Sequence, residues 1–265
     1  MTEFIHSLIA SSIATLIIQP LDVIRTQYQI SYLNQKTNVF SLSRNIWKNQ
    51  GIKGFYKGTT CHLLTYPLFW GIFFQTKKYQ FQPTSHSVFD NICNSLIAGT
   101  LASTIVNPLF VLKTRKQSEI FRGSQNVNYS NLIANIARNE GIFGFYKGVN
   151  VTIFSNFKLG LQFPVYDFLM EKTNQSIFIS SCFSKLLANS IFYPADIIRT
   201  QQRESTQKLS IRNIASLIYR KQGIIGFYKG MMLNNCTSGP NFLLLMLIKD
   251  YLGGDSPFIP PFLKK

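Results

Sequence analysis

Two unrelated phrases recur along this chain at one long period, and that repetition restricts the fold more than any other feature. Gly51-Ile-Lys-Gly-Phe-Tyr-Lys-Gly58 returns at residues 141–148 and 223–230, so that the last glycines, Gly58, Gly148 and Gly230, are 90 and 82 residues apart. Upstream of each lies a proline phrase: QPLDVIR at 19–25, NPLFVLK at 107–113 and YPADIIR at 193–199, with Pro20, Pro108 and Pro194 separated by 88 and 86 residues. Two motifs sharing a period mark three copies of one unit of about 90 residues. The expected repeats are 1–85, 86–174 and 175–255, followed by a tail at 256–265. A function carried by the repeated phrases is then threefold.

Composition says what surrounds the repeats. Hydrophobic residues make up 46% of the chain and charged residues only 14%, against about a quarter charged in an average globular protein. So little polar surface suits a core of this size only if lipid covers part of it, and 23 Phe with 12 Tyr exclude a disordered chain. Residues 4–21, 59–76, 91–112 and 231–248 carry no Lys, Arg, Asp or Glu, and a spanning helix needs about 20 mostly apolar residues, ~17 at the least. Two further stretches, 149–170 and 177–198, are interrupted by Lys158 and Lys185, charges that at membrane depth face a bundle interior or a watery cavity. The expected fold is an all-α membrane protein with six transmembrane helices, two per repeat. Their Ser, Thr, Asn and Gly content suits close helix packing. Basic amphipathic stretches at 41–50, 131–140 and 211–222 are expected as short interfacial helices, with Arg44, Lys48, Arg138, Arg212, Arg220 and Lys221 attracting anionic head groups.

In Pro20-Leu-Asp22-Val-Ile-Arg25 acid and base are three apart and share a helix face, while the proline removes a backbone hydrogen bond and lets the axis kink. Three copies around one axis let the acid of one repeat reach the base of the next and close a cavity with a breakable ring of ion pairs. The competing reading is that each pair caps its own helix end or snorkels to the interface.

The proline phrase followed by Gly-x-x-Gly-Phe-Tyr-Lys-Gly, three times over nearly the whole chain, resembles the mitochondrial carrier family. The resemblance implies a pseudo-threefold, six-helix monomer of the mitochondrial inner membrane that exchanges solutes by alternating access. It further implies a matrix-side network pairing Asp22 with Lys113 and Asp196 with Arg25, braced by Gln29 and Gln117. Phe110 takes the acid position of the second repeat and leaves Arg199 without its expected carboxylate. An aromatic residue there, together with Trp70-Gly71, Gly160-Leu161-Gln162-Phe163 and Ser184-Lys185, is similar to the branch that carries pyrimidine nucleotides, NAD, FAD and folate. By the same resemblance Gly58, Gly148 and Gly230 sit near lipid head groups, cardiolipin in particular, where free helix amides suit phosphate.

The family's even-numbered helices carry a second, cytosolic gate. Asp167 and Asp250 keep its acids, whereas Met170 and Gly253 fall where bases are usual and Lys77 falls where an acid is. The expected gate is weak: the chain opens outward easily, or other residues build the gate. Substrate contacts are expected at Leu64, Leu68 and Trp70, at Phe154, Ser155 and Lys158, and at Thr237 and Ser238. Trp70 either stacks on a base or packs between helices; Lys158 binds a ligand or snorkels; Lys185 does the former or forms an interhelical pair. Only Lys158 among the expected contacts is cationic, and the arginine that nucleotide carriers commonly place on the sixth helix is absent.

A cavity lined by Lys and Arg concentrates potential on anions, so the expected cargo is a nucleotide-like anion; other small organic anions and a transport-incompetent adaptor of the same fold are the alternatives. A nucleic-acid partner, motivated by the net charge of +16 alone, is disfavoured by the long uncharged segments. Nothing in the sequence points to an enzyme, a cofactor or a metal site. His6, His62 and His86 lie far apart without a nucleophile spaced to join them, and Cys61, Cys93, Cys182 and Cys236 form no ligand pair. The first ten residues lack the features of a cleaved leader, which places the expected address within the chain.

Overall fold

The repeated phrases resolve into a repeated helical unit. The computed structural model describes residues 2–31, 38–80, 88–119, 128–172, 177–207 and 209–251. Its helices are α1 (Thr2–Ser31), α2 (Val39–Phe55), α3 (Thr59–Gln80), α4 (Val88–Ser118), α5 (Tyr129–Glu140), α6 (Val149–Ser155), α7 (Phe157–Lys172), α8 (Ile177–Glu204), α9 (Ile211–Gln222) and α10 (Met231–Tyr251). Short 3-10 turns at Ile142–Tyr146 and Ile224–Tyr228 precede α6 and α10. The expected repeat boundaries near 85 and 174, and the tail 256–265, lie outside the described residues.

The long helices form a closed ring in which α1 packs on α3, α3 on α4, α4 on α6 and α7, α7 on α8, α8 on α10, and α10 back on α1. Each of α1, α3, α4, α7, α8 and α10 contains one proline: Pro20, Pro67, Pro108, Pro164, Pro194 and Pro240. Each removes a ladder hydrogen bond and permits a bend. The proline helices α1, α4 and α8 also touch one another.

Burial is inverted relative to a water-soluble bundle. On α1, Ser11, Thr15 and Gln19 are fully buried while Ile13 and Ile17 are 42% and 58% exposed. On α4, Ser95, Ser103 and Asn107 are buried and Ile97, Leu101 and Ile105 exposed; on α8, Ser180 and Ser184 are buried and Phe183, Leu187 and Ile191 exposed. An apolar outside around a polar inside is what lipid around a wet interior requires. Among the described residues, length and hydropathy alone mark two segments as able to cross a membrane, Leu8–Ile30 and Ile92–Ser118.

The short helices α2, α5 and α9 dock through apolar pairs four residues apart: Leu42 and Ile46, Leu132 and Ile136, Ile214 and Ile218. Their starts are fixed locally: Ser210 caps α9 by accepting from the Asn213 amide at 3.3 Å, and the Ser41 hydroxyl accepts from the Asn38 amide at 3.2 Å. The second glycine of each phrase makes room for this docking. A Cβ at Gly54, Gly144 or Gly226 would stand 2.8–2.9 Å from Cγ2 of Ile46, Ile136 or Ile218, too close for any side chain. The last glycine of each phrase touches a proline helix: Gly58 approaches the Lys113 carbonyl and Gln117 of α4, Gly148 approaches Arg199 and Arg203 of α8, and Gly230 approaches Tyr28 of α1. Each repeat thus leans on the next, and the third leans on the first.

Candidate functional site

The polar faces meet in one central cavity, lined by α1, α3, α4, α6, α7, α8 and α10, and Asp22, Phe110 and Asp196, the equivalent third residues of the proline phrases, all line it. The carboxylates hold the cations together. Asp22 lies 2.7 Å from Lys113 Nζ of the second repeat and 3.2 Å from Arg25 of its own helix, and Gln117 donates to it at 3.3 Å. Asp196 lies 2.9 Å from Arg199 of its own helix and 2.7 Å from Lys158 of the second repeat.

Two expectations are corrected here. Arg25 does not pair with Asp196; the three-residue spacing turns it onto Asp22, and it donates to Thr237 Oγ1 at 3.4 Å. Arg199 does not lack a carboxylate, because the same spacing places it on Asp196. Lys158 takes the inter-repeat place at Asp196, reaching it with bonds of 2.7 Å to both oxygens. Each acid thus holds the base of its own helix and one lysine of the second repeat, and only Asp22 with Lys113 joins the acid of one phrase to the base of the next. Gln29 does not touch an ion pair. It donates to the Tyr193 hydroxyl at 3.1 Å and accepts from Thr200 at 3.2 Å, tying α1 to α8.

Beyond the ion pairs, a ring of side-chain to backbone hydrogen bonds links the three proline helices. The residue seven past each proline donates to the carbonyl of the residue nine past the next proline: Gln27 to Gln117, Arg115 to Arg203 at 3.0 Å, and Gln201 to Gln29 at 2.5 Å. The sequence carried a signal for it, since Gln27, Arg115 and Gln201 keep the period of the prolines. Arg115 also forms a bidentate pair with Glu140 at 2.5 and 2.8 Å. Lys147 adds a bond to Glu140 at 2.7 Å and caps the end of α8 by donating to the carbonyls of Ser205 and Thr206 at 2.8 Å. Burial raises the Glu140 carboxyl, but these cationic donors outweigh it and hold the group below its ordinary value of 4.5.

The expected cargo contacts divide. Lys158, Trp70, Thr237 and Ser238 line the cavity. Leu64 and Phe154 do not: they are 52% and 57% exposed on the outer surface. Leu68 is half-buried and Ser155 buried, and neither belongs to the lining. The reason is helical phase. On α3 the inward stripe runs His62, Tyr66, Phe69 and Trp70, and a shift of two residues turns a side chain by about 200°. Along α6 and α7 the inward stripe runs Thr152, Asn156 and Leu159, with Lys158 beside it, and Phe154 falls two residues off that stripe. The regular spacing of His62, Tyr66 and Phe69 was the available signal. Trp70 packs between helices, 3% exposed in an aromatic cluster, and is also part of the lining.

At the end away from the ion pairs, aromatic rings fill the bundle. Phe73 stacks on Phe163 at 5.2 Å, Phe163 meets Phe242 at 6.0 Å, and Trp70 meets both Phe73 at 5.4 Å and Phe242 at 6.0 Å. All four are buried, with Tyr166 and Met170 in the same cluster. Lys77 sits over the Phe163 ring at 4.5 Å, so its charge is held by a π face. The side chains of Asp167 and Asp250 lie outside the described ones.

Six cationic side chains, Arg25, Lys113, Lys158, Lys185, Arg199 and Arg203, line the cavity with only two carboxylates, Asp22 and Asp196. Six basic side chains against two acidic ones around one cavity favour an anion there.

Comparison with known proteins agrees with this architecture. The family profile described as mitochondrial carrier protein matches residues 1–80, 84–176 and 170–253. Mitochondrial substrate carrier family protein M of Dictyostelium discoideum is 28% identical over 93% of this chain and 92% of its own. Mitochondrial nicotinamide adenine dinucleotide transporter 1 of Saccharomyces cerevisiae is 26% identical over 88% of this chain and 71% of its own, and the same yeast's mitochondrial FAD carrier protein FLX1 is 24% identical over 94% and 95%. With three family matches covering almost its entire length, the chain belongs to the mitochondrial carrier family, whose members are membrane transporters and not enzymes.

Proposed function

We propose that this protein is a six-span monomer of the mitochondrial inner membrane that exchanges nucleotide-like anionic cofactors by alternating access. The observation that carries the reading is the surplus of cations over carboxylates around one enclosed cavity. Relatives named as carriers of nicotinamide adenine dinucleotide and FAD favour a cofactor with phosphates over a simple organic anion. The rings of Tyr66, Phe69 and Trp70 in the lining supply aromatic surface that suits a flat base.

The ion pairs of Asp22, Arg25, Lys113, Asp196 and Arg199, with Phe110, Gln29 and Gln117, form the matrix gate. The aromatic cluster, with Asp167 and Asp250 on the same helices, forms the cytosolic one. Lys158 links cargo to gate, because its ammonium is bound by the gate acid Asp196. An arriving phosphate competes for that ammonium, and Asp196 is then released from its inter-repeat partner. Lipid phosphates, cardiolipin in particular, dock at the turns around Gly58, Gly148 and Gly230, between neighbouring repeats 1–85, 86–174 and 175–255.

Proteoliposomes loaded with NAD, FAD or nucleoside triphosphates test the reading. Uptake is expected only with internal counter-substrate, and Lys158→Ala is expected to abolish it. Failure of every nucleotide and dinucleotide, with uptake of a dicarboxylate instead, would replace the cargo; failure of all solutes would favour an adaptor.

A further inference from the structure

Two exceptions to the threefold pattern meet in space. Two residues past the proline, the first and third repeats carry Asp22 and Asp196, whereas the second carries Phe110. Nine residues past the proline, the first and second repeats carry Gln29 and Gln117, whereas the third carries Arg203. The guanidinium of Arg203 lies over the ring of Phe110, 4.7 Å from its centre. Both residues line the cavity.

Arg203 is only 5% exposed. Its Nη2 donates to Asn107 Oδ1 at 2.9 Å and to Thr152 Oγ1 at 3.0 Å, and its Nε is buried without an acceptor. Among the described residues no carboxylate lies within ion-pair reach of it, whereas Lys113, Lys158, Arg25 and Arg199 each have one. A guanidinium out of water whose hydrogen-bond partners are both neutral, and whose charged neighbours include the like charge of Arg199 as well as the more distant Asp196, is disfavoured until an anion joins it. The phenyl face steadies the planar fork, as cation–π contacts do, but supplies no counter-charge.

We propose that Arg203 is an anion contact of the cavity, and that a phosphate of the cargo occupies the place left by the carboxylate missing at Phe110. A guanidinium fork matches phosphate oxygens in pairs. The gate then has three anions when loaded and two when empty, so cargo without a phosphate leaves it incomplete. This assignment rests on the transport reading for its cargo but not for its chemistry, because the slot would accept a phosphate whether or not the protein moves it.

Titration calorimetry of the purified full-length protein with inorganic diphosphate, alongside melting curves, tests the contact. Arg203→Gln, which installs the side chain of the other two repeats, is expected to weaken diphosphate binding at least about tenfold, and Arg203→Lys to weaken it less. Phe110→Glu, which restores the missing acid, is expected to weaken it as much while the melting temperature holds or rises. Lost binding in a protein of undiminished stability cannot come from misfolding. Wild-type protein that binds no diphosphate, or either Arg203→Gln or Phe110→Glu binding it within about twofold of wild type, overturns the contact. Exchange assays separate the two ideas: Arg203-dependent diphosphate binding without transport upholds the contact and removes the transport reading, whereas dinucleotide exchange with an unchanged KM in Arg203→Gln does the reverse.

Discussion

Asp22 and Asp196 each hold two cations, so the cost of removing either is set by what is left behind. Asp22→Asn leaves the Lys113 ammonium buried 2.7 Å from an amide that cannot neutralise it. Breaking such a pair costs about 3–5 kcal/mol, and at roughly 2–4 °C per kcal/mol the melting temperature should fall by a readily measured amount. Lys113→Met should do likewise, and the double variant should lose less than the two losses added, because neither charge is then stranded; strict additivity in a melting-curve cycle would show that the pair is not coupled. Gly148 has φ +77°, and a Cβ there would stand 3.4 Å from the Arg199 carbonyl, an ordinary contact. Gly148→Ala therefore costs mainly the left-handed backbone and should destabilise by about 1–2 kcal/mol, read in the same assay.

At the scale of elements, the short helix α5 acts as a strut. The Glu140 carboxylate at the end of α5 joins Arg115 on α4 to Lys147, and Lys147 caps α8. The folded pKa of Glu140 is lowered, so its contribution is complete above the unfolded value of about 4.3 and is lost as pH falls through the folded value. Acidification below that range should therefore lower the melting temperature of the wild type more than that of Glu140→Gln. Parallel curves for the two proteins would remove Glu140 from the acid response. The first and third repeats replace this charged pair with amides at both positions, Gln27 with Gln50 and Gln201 with Gln222. The strut of the second repeat is accordingly expected to be the acid-sensitive one.

At the scale of the whole molecule, the two ends of the bundle are closed by different physics: ion pairs and hydrogen bonds around α1, α4 and α8, and rings packed between α3, α7 and α10. A cysteine at Ser103→Cys, in a background with Cys61, Cys93, Cys182 and Cys236 changed to Ser, would report on access to the cavity. Joint Phe163→Ala and Phe242→Ala substitution removes side chains whose loss from a packed core costs about 3–5 kcal/mol each; it should speed labelling by a membrane-impermeant maleimide, and an unchanged rate would mean that the rings do not seal that end. The repeated unit, the places of the long helices, the docking faces of α2, α5 and α9 and the residues at the ion-pair end were legible in the sequence, because a long period and a local spacing are properties of the chain itself. Leu64 and Phe154 were misplaced because the inward face of a helix depends on its phase within the ring, which a motif elsewhere in the repeat does not specify. The partner of Asp196 was likewise decided in three dimensions, where Lys158 outreaches Arg25. A long lysine side chain crosses whatever gap the packing leaves, and that gap exists only once the three repeats have closed on one another.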